Sequence, residues 1–502
     1  MNTKILSIEK LNKTFLHGKA QALKNCSLEV SKNSITGLLG MNGAGKTTLI
    51  KCVANLLIPD SGSVYFENND LLKKPEIVTN NISVLLDGGR NLFWYMTVEE
   101  NIKYFSLLKA ANKFDKTRFA KIAQYLELEP ILKKQLHQLS FGMKQRANIA
   151  VALMSSAQLL IFDEPTAVLT PAEISELMQI MKNLIKEGKS IILITHKLDE
   201  IRAVADRITV IRRGKSIDTV ELGDKTNQEL AELMVGRSVS FITEKAPAQP
   251  KDIVLEIKDL NIKESRGSLK VKGLSLDVRA GEIVGVAGID GNGQTELVKA
   301  ITGLTKVDSG SIKLHNKDIT NQRPRKITEQ SVGHVPEDRH RDGLVLEMTV
   351  AENIALQTYY KPPMSKYGFL DYNQINSHAR KLMEEFDVRG AGEWVSAASL
   401  SGGNQQKAII AREIDRNPDL LIVSQPTRGL DVGAIEYIHK RLIQARDEGK
   451  AVLVISFELD EILNVSDRIA VIHDGQIQGI VRPESTTKQE LGILMVGGNI
   501  NE

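Results

Sequence analysis

Shortages narrow the class of this chain before any motif does. There are two cysteines in 502 residues, Cys26 and Cys52. They cannot build a disulfide framework and lack metal-ligand spacing, so both read as buried thiols of a protein in a reducing compartment, the cytosol. Excess charge is missing too. The formal net charge is only +3, which gives no electrostatic argument for a nucleic-acid or anionic-membrane partner. Long apolar runs are absent: stretches such as Ile191 to Ile194 fall far short of the roughly 20 residues that a bilayer-spanning helix needs. The opening MNTKILSIEKLNKTF has neither an apolar core nor a small-residue cleavage site, and we expect no signal peptide. A membrane role therefore calls for a partner subunit. With 42% apolar and 25% charged residues, what remains is the composition of a soluble globular protein, long enough for roughly two to four domains.

The chain contains itself twice. VADRITVIRRGK from Val204 matches VSDRIAVIHDGQ from Val465, and LMVG recurs at Leu233 and Leu494, both pairs 261 residues apart. Asp163 and Ser424 keep that offset, whereas the glycine-rich loops at Gly40 and Gly288 are 248 apart, so the second half has gained 13 residues between its loop and its later motifs. So long a period marks a domain duplication, not a solenoid. Gly236 to Asp252, GRSVSFITEKAPAQPKD, replaces patterned apolar residues with Lys, Pro, Ala and Gln. We expect a first domain over 1–240, a linker over 241–252 and a second domain over 253–502. Ile174, Leu177, Met178, Met181, Leu184 and Ile185 fall on one helical face closed by Gly188, and the strand-like Ile191–Ile194 follows. That alternation predicts an α/β fold with a largely parallel sheet in each half.

GMNGAGKT, Gly40 to Thr47, has P-loop spacing between an apolar strand and a helix predicted to begin near Lys46. Glycines let backbone N–H groups converge on phosphate oxygens at a helix N-terminus. Lys46 reaches the outer phosphates, and the Thr47 hydroxyl suits magnesium. In the second half, GIDGNGQT keeps Gly288, Gly291, Gly293 and Thr295 but places Gln294 where the lysine stood. That loop either still cradles phosphate, less tightly, or survives as a packing element.

LLIFDEPTAVLT from Leu159 delivers Asp163 and Glu164 to the carboxyl end of an apolar strand, where ligands sit in open α/β sheets. Asp163 suits magnesium, and Glu164 suits orienting or deprotonating an attacking water. His196 follows the next strand, placed to hold the γ-phosphate and the water. The matching LLIVSQPTRGLD from Leu420 has Ser424 and Gln425 instead.

With LSGGNQQKAIIARE from Leu400 and the weaker LSFGMKQRANIAVAL from Leu139, the chain resembles the nucleotide-binding domains of ABC transporters over nearly its whole length. HRD at His340 lacks the remaining kinase pattern and is set aside. The resemblance implies two tandem P-loop NTPase domains. Each has a mostly parallel core sheet, a β-subdomain and a helical subdomain, and ATP lies between one domain's P-loop and the other's signature. It implies one complete site: Phe15 stacking the base, Gly40, Asn42, Gly43, Gly45, Lys46, Thr47 and Thr48 holding phosphate, and Ser401, Gly402, Gly403 and Asn404 opposite. Glu164, His196 and Lys46 carry the catalysis. Thr47, Asp163 and Asp87 form the magnesium set, Asp87 standing where most members have a glutamine and the second half has Glu337. For Phe15, ordinary strand packing remains open.

The other pairing joins Gly288, Gly291, Gly293, Gln294, Thr295, Ser424, Gln425 and Phe457 with Ser140, Phe141 and Gly142. It has lost lysine, carboxylates and histidine together, which should leave essentially no hydrolysis. Glu264 replaces the stacking aromatic there.

The tandem form with a glutamine-bearing second loop resembles the ATP-binding subunit of bacterial importers for simple sugars and nucleosides, in its nucleoside branch. VPEDRHRDGLVLEMTVAENIAL from Val335 and QPTRGLDVGAIEYIHKRL from Gln425 carry that likeness. Residues 34–155, with SVLLDGGRNLFWYMTVEENIKYF, are more similar to exporter ATPases, so the chain reads as a mosaic. The implied partners are two integral-membrane permease subunits, a solute-binding protein and a candidate second copy of the chain, at the cytoplasmic face of the cell membrane. A soluble two-domain ATPase acting on ribosomes or DNA, an exporter ATPase and a nucleotide sensor are the competing readings. The short KAPAQPKD and the Ser424-Gln425 pair weigh against the first, and the full set around Lys46 against the last.

Overall fold

The structure, a computed structural model, describes residues 3–15, 20–41, 43–86, 92–109, 114–139, 141–154, 157–166, 171–195, 197–238, 244–263 and 267–498. The chain divides into two compact units, Met1–Val239 with Asp431–Gly433, and Ser240–Leu430 with Ala434–Glu502.

Apolar runs too short for membranes become central strands. In the first unit the core sheet runs Lys215–Glu221, Arg207–Arg212, Ile35–Leu39, Ser190–Ile194, Leu159–Asp163, Ile82–Leu85. All neighbours are parallel except Lys215–Glu221, which adds antiparallel to Arg207–Arg212. Every residue of Ile35–Leu39, Leu159–Asp163 and Ser190–Ile194 is buried. Covered on both faces, such strands need continuous apolar sequence rather than alternation. The helix Pro171–Lys186 buries Leu177, Met178, Met181 and Leu184, with Ile174 and Ile185 at the margin, as its spacing predicts. Gly188 then turns left-handed at φ 84° to start the return strand. A second sheet, Ala20–Ser31, Lys4–Phe15, Ser61–Phe66 and Asn69–Asp70, is antiparallel. The helices Val98–Lys109, Lys116–Tyr125 and Phe141–Met154 supply a helical layer.

The second unit repeats this plan. Its core sheet runs Gln476–Val481, Arg468–His473, Glu282–Ala287, Ala451–Ser456, Leu420–Ser424, Val332–Val335, with one antiparallel edge at Gln476–Val481. Its antiparallel sheet pairs Leu269–Arg279, Ile253–Lys263, Ser309–Leu314 and Lys317–Asp318. Val350–Ala355, Tyr372–Glu385 and Gly402–Asp415 form the helical part. Residues 244–252, the described part of the compositional linker, are tied to this unit. Arg446, 1% exposed, donates to the Ala246 carbonyl at 2.9 Å and to Asp467 at 2.8 Å, and Lys245 donates to the Ser466 carbonyl.

Candidate functional site

In the first unit the strand Ile35–Leu39 ends in the glycine loop, and the helix Lys46–Val53 leaves it with Gly45 as its cap. The loop is folded too tightly for side chains at two points: a Cβ on Gly40 would lie 2.3 Å from the Ile211 carbonyl oxygen, and one on Gly45, at φ 106°, 2.6 Å from that of Ala22. Gly43, at φ 77°, faces open space. Lys46 is 6% exposed and curls over the loop, donating to the carbonyls of Gly40 at 2.6 Å and Met41 at 3.1 Å. Burial pulls its ammonium below the ordinary lysine value, opposed first by Glu164 and then by Asp163. Thr47 and Thr48 occupy the first helical turn, and the Thr47 hydroxyl donates to Asp163 Oδ2 at 3.1 Å.

Asp163 is 3% exposed and ends its strand in parallel register with Ile194. Glu164 follows with φ 48°, and its N–H donates to the Ile194 carbonyl at 2.9 Å. A left-handed non-glycine residue is disfavoured and persists where its surroundings over-determine it. Here the turn aims Asp163 at Thr47. A hydroxyl and a carboxylate facing each other are hard oxygen donors that fit a magnesium ion carrying nucleotide phosphates. Among the described residues no cluster of three or more His, Cys, Asp or Glu forms an all-protein metal cage. Phe15, 39% exposed, ends the strand beside Ala20–Ser31, whose Ala22 carbonyl flanks Gly45. Lys13 Nζ lies 5.9 Å from its ring centre.

The second unit keeps the frame. A Cβ on Gly288 would lie 2.7 Å from the Ile472 oxygen, one on Gly293 2.6 Å from that of Lys270, and Gly291 is open at φ 88°. Gln294, 3% exposed, donates to the Ile289 carbonyl at 3.0 Å, the position matching Met41. Gln425 has φ 48° and donates its N–H to Ile455 at 2.7 Å, the counterpart of Glu164 to Ile194. Among the described residues Ser424 Oγ and Gln425 Nε2 have no hydrogen-bond partner and are buried, while Phe457 N–H donates to Gln425 Oε1 at 3.3 Å. Thr295 turns to Glu337 Oε2 at 3.5 Å instead of to a strand-end carboxylate. Burial raises the Glu337 carboxyl above its ordinary value, and Arg428, donating at 3.1 Å, offsets part of that.

The signature of the second unit opens the helix Gly402–Asp415, with Ser401 as N-cap residue. Asn404 Nδ2 donates to Ser401 Oγ at 2.9 Å, and Arg389 N–H donates to Asn404 Oδ1 at 2.8 Å. Gly403 is buried against Ala434, 3.2 Å from where its Cβ would be. In the first unit the equivalent helix is Phe141–Met154, with Gly142 in its first turn. Asn42, Asp87, Ser140, His196 and Glu264 lie outside the described residues.

Motif reading missed a buried set behind the acidic pair. Thr166 and Thr195 hydroxyls donate to Glu200 Oε2 at 2.6 and 3.1 Å, bracing the ends of two strands. Burial raises the Glu200 carboxyl, with the Thr166 bond the largest opposing effect. The retained Thr in both copies, Thr166 and Thr427, was the signal available.

The sequence pattern of the family described as ABC transporter matches residues 23–167 and 271–428. The chain is 76% identical over 502 residues to the nucleoside import ATP-binding protein NupA of Lactococcus lactis subsp. cremoris, covering 99% of both chains. It is 52% identical to the guanosine import ATP-binding protein NupO of Bacillus subtilis, over 99% of this chain and 98% of that one. Both alignments run through the exporter-like stretch. A solved structure of ribosome-bound archaeal Pelota and ABCE1 is similar at a TM-score of 0.68 and 22% identity, covering 94% of this chain and 79% of that one; this likeness is one of fold. Two glycine loops, a signature at a helix start and an acidic strand end, on a twice-repeated sheet, place the chain in the ABC transporter family, whose ATP-binding proteins hydrolyse ATP to power transport.

Proposed function

We propose that the chain is the ATPase subunit of a nucleoside importer, working through one hydrolytic site. The observation that carries the single-site reading is the contact of Thr47 with Asp163 at 3.1 Å, with Glu164 fixed in the next turn. The second unit has Ser424 and Gln425 at those places. Lys46 neutralises phosphate charge, and Glu164 orients the attacking water and takes its proton. His196 holds the water and the γ-phosphate, and Ser401 to Asn404 of the intact signature close on the same nucleotide. Phe15 stacks the base. Magnesium, when bound, draws charge from the phosphate oxygens; Thr47, Asp163 and Asp87 are the residues that would hold it. The second P-loop, without a lysine, at most binds nucleotide.

The relatives' names support nucleosides over sugars as the solute. Among the described residues no helix is long and apolar enough to cross a membrane. The relatives' names as import ATP-binding proteins support a pore formed by two permease subunits, and we infer a solute-binding protein that feeds them and a place for this chain at the cytoplasmic face. The test is uptake of radiolabelled nucleoside into cells lacking the chain. The wild type should restore it, Glu164→Gln should not, and unlabelled nucleosides should compete where pentoses and hexoses do not. Competition by sugars alone would replace the solute assignment.

A further inference from the structure

Charged residues that the nucleotide motifs leave unused connect the second P-loop to the signature of the same unit. Glu337 follows the strand Val332–Val335 and receives Thr295 on one carboxylate oxygen and Arg428 on the other. Arg428 lies in the turn after Gln425, to whose carbonyl its N–H donates at 3.3 Å. Its own carbonyl accepts from Arg339 Nη1 at 3.1 Å. The guanidinium of Arg339 then lies against Gly402: a Cβ there would be 2.9 Å from Nη2 and 3.3 Å from Cζ. Arg339 Nε is buried and has no partner among the described residues. A side chain at the second signature position would have to push the end of this arginine aside.

Helix stability does not explain this arrangement. A cation at the start of Gly402–Asp415 is opposed by the helix dipole. Burial is the main force against the Arg339 charge; Asp338 favours it, and Arg428 adds repulsion. In the sequence, the first half has no arginine at either matching place. Aligning Ile82–Leu85 with Val332–Val335 puts Gly89 at the Arg339 position, and the later 261-residue offset puts Ala167 at the Arg428 position. Both arginines belong to the half that has a weakened P-loop and an intact signature.

We propose that Arg339 is a positioning residue for the signature turn Ser401–Asn404, held in place by Arg428 and Glu337, so that the second P-loop, through Thr295, has a physical route to the signature. This rests on the reading that the signature serves hydrolysis at Lys46 and Glu164. In the full chain, Arg339→Ala should lower ATP turnover by about tenfold while half-saturating ATP moves by less than about twofold, the signature of lost transition-state rather than ground-state binding. Arg339→Lys should recover part of the loss, since it keeps the charge but not the planar fork. Arg428→Ala keeps the carbonyl that accepts from Arg339 but frees its turn from Glu337, and should act in the same direction and less strongly. Arg325→Ala, which cuts an exposed ion pair with Glu329, should leave turnover unchanged.

Turnover in Arg339→Ala within about twofold of wild type, with Glu164→Gln inactive, overturns the proposal alone. Turnover surviving in Glu164→Gln marks failure of the single-site reading instead. If a lowered urea midpoint shows that Arg339→Ala is unfolded, Arg339→Gln keeps the side-chain stem and removes the charged fork that reaches Gly402, and the same two outcomes decide.

Discussion

At the end of one strand the first unit holds Asp163 and Glu164, and at the same register the second holds Ser424 and Gln425. Glu164 and Gln425 share φ 48°, and each donates its N–H to the matching residue of the neighbouring strand, Ile194 or Ile455. The glycine loops agree as closely: Gly45 and Gly293 would each drive a Cβ to 2.6 Å from a carbonyl on the adjoining antiparallel strand. Backbone geometry at these points comes from sheet register and close approach, which the duplication carries intact. Chemistry comes from a few side chains, which can change without disturbing that geometry. Shape alone is therefore poor evidence that a nucleotide site works.

The sharpest way to break this contrast is to exchange the side chains. Glu164→Gln, copying the second unit, should cut ATP turnover by about a hundredfold or more, measured by phosphate release. The reverse change, Gln425→Glu, should leave the rate within about twofold of wild type, because Gln294 and Ser424 still lack the lysine and the metal carboxylate. Next in size, Lys46→Gln should weaken ATP binding by about tenfold, since it removes charge-assisted contacts to phosphate; titration with a fluorescent ATP analogue reads this.

Where the units share geometry, they should respond alike. Gly40→Ala and Gly288→Ala each force a Cβ against backbone and should cost about 1–3 kcal/mol of stability, read from urea midpoints. Unequal losses would show that the frames differ in rigidity. The smallest effect concerns Glu200. Burial raises its carboxyl above the ordinary 4.5, so its stabilising contribution is complete below that pH and is lost as pH rises through the folded value. Glu200→Gln cannot ionise. Its urea midpoint should gain on wild type as pH climbs from about 4 to 8, by under about 1 kcal/mol.

Much of this was legible in the chain itself. The helix over Pro171–Lys186 announced itself through apolar spacing and Gly188, and the buried strands through continuous Leu, Ile and Val. P-loop, acidic pair and signature were found because their chemistry demands particular residues at fixed intervals. Thr166, Thr195 and Glu200 escaped notice because they meet only when two strands and a helix come together; no local spacing encodes that contact. Arg339 escaped for the same reason, and because an arginine beside a glycine turn contradicts the helix-dipole rule a reader applies first. Nor does composition reveal that residues 244–252 are held by Arg446, some 200 positions downstream.

The left-handed turn at Gln425 has a consequence for how such a protein changes over generations. A strained residue is a standing cost, and in the second unit it carries no carboxylate. A lineage free to discard it would do so through substitutions that relax the turn. The same turn seats Arg428, and through the Arg428 carbonyl the guanidinium beside Gly402. A substitution at position 424 or 425 that relaxes the turn should therefore be felt at the signature, through Arg428 and Arg339.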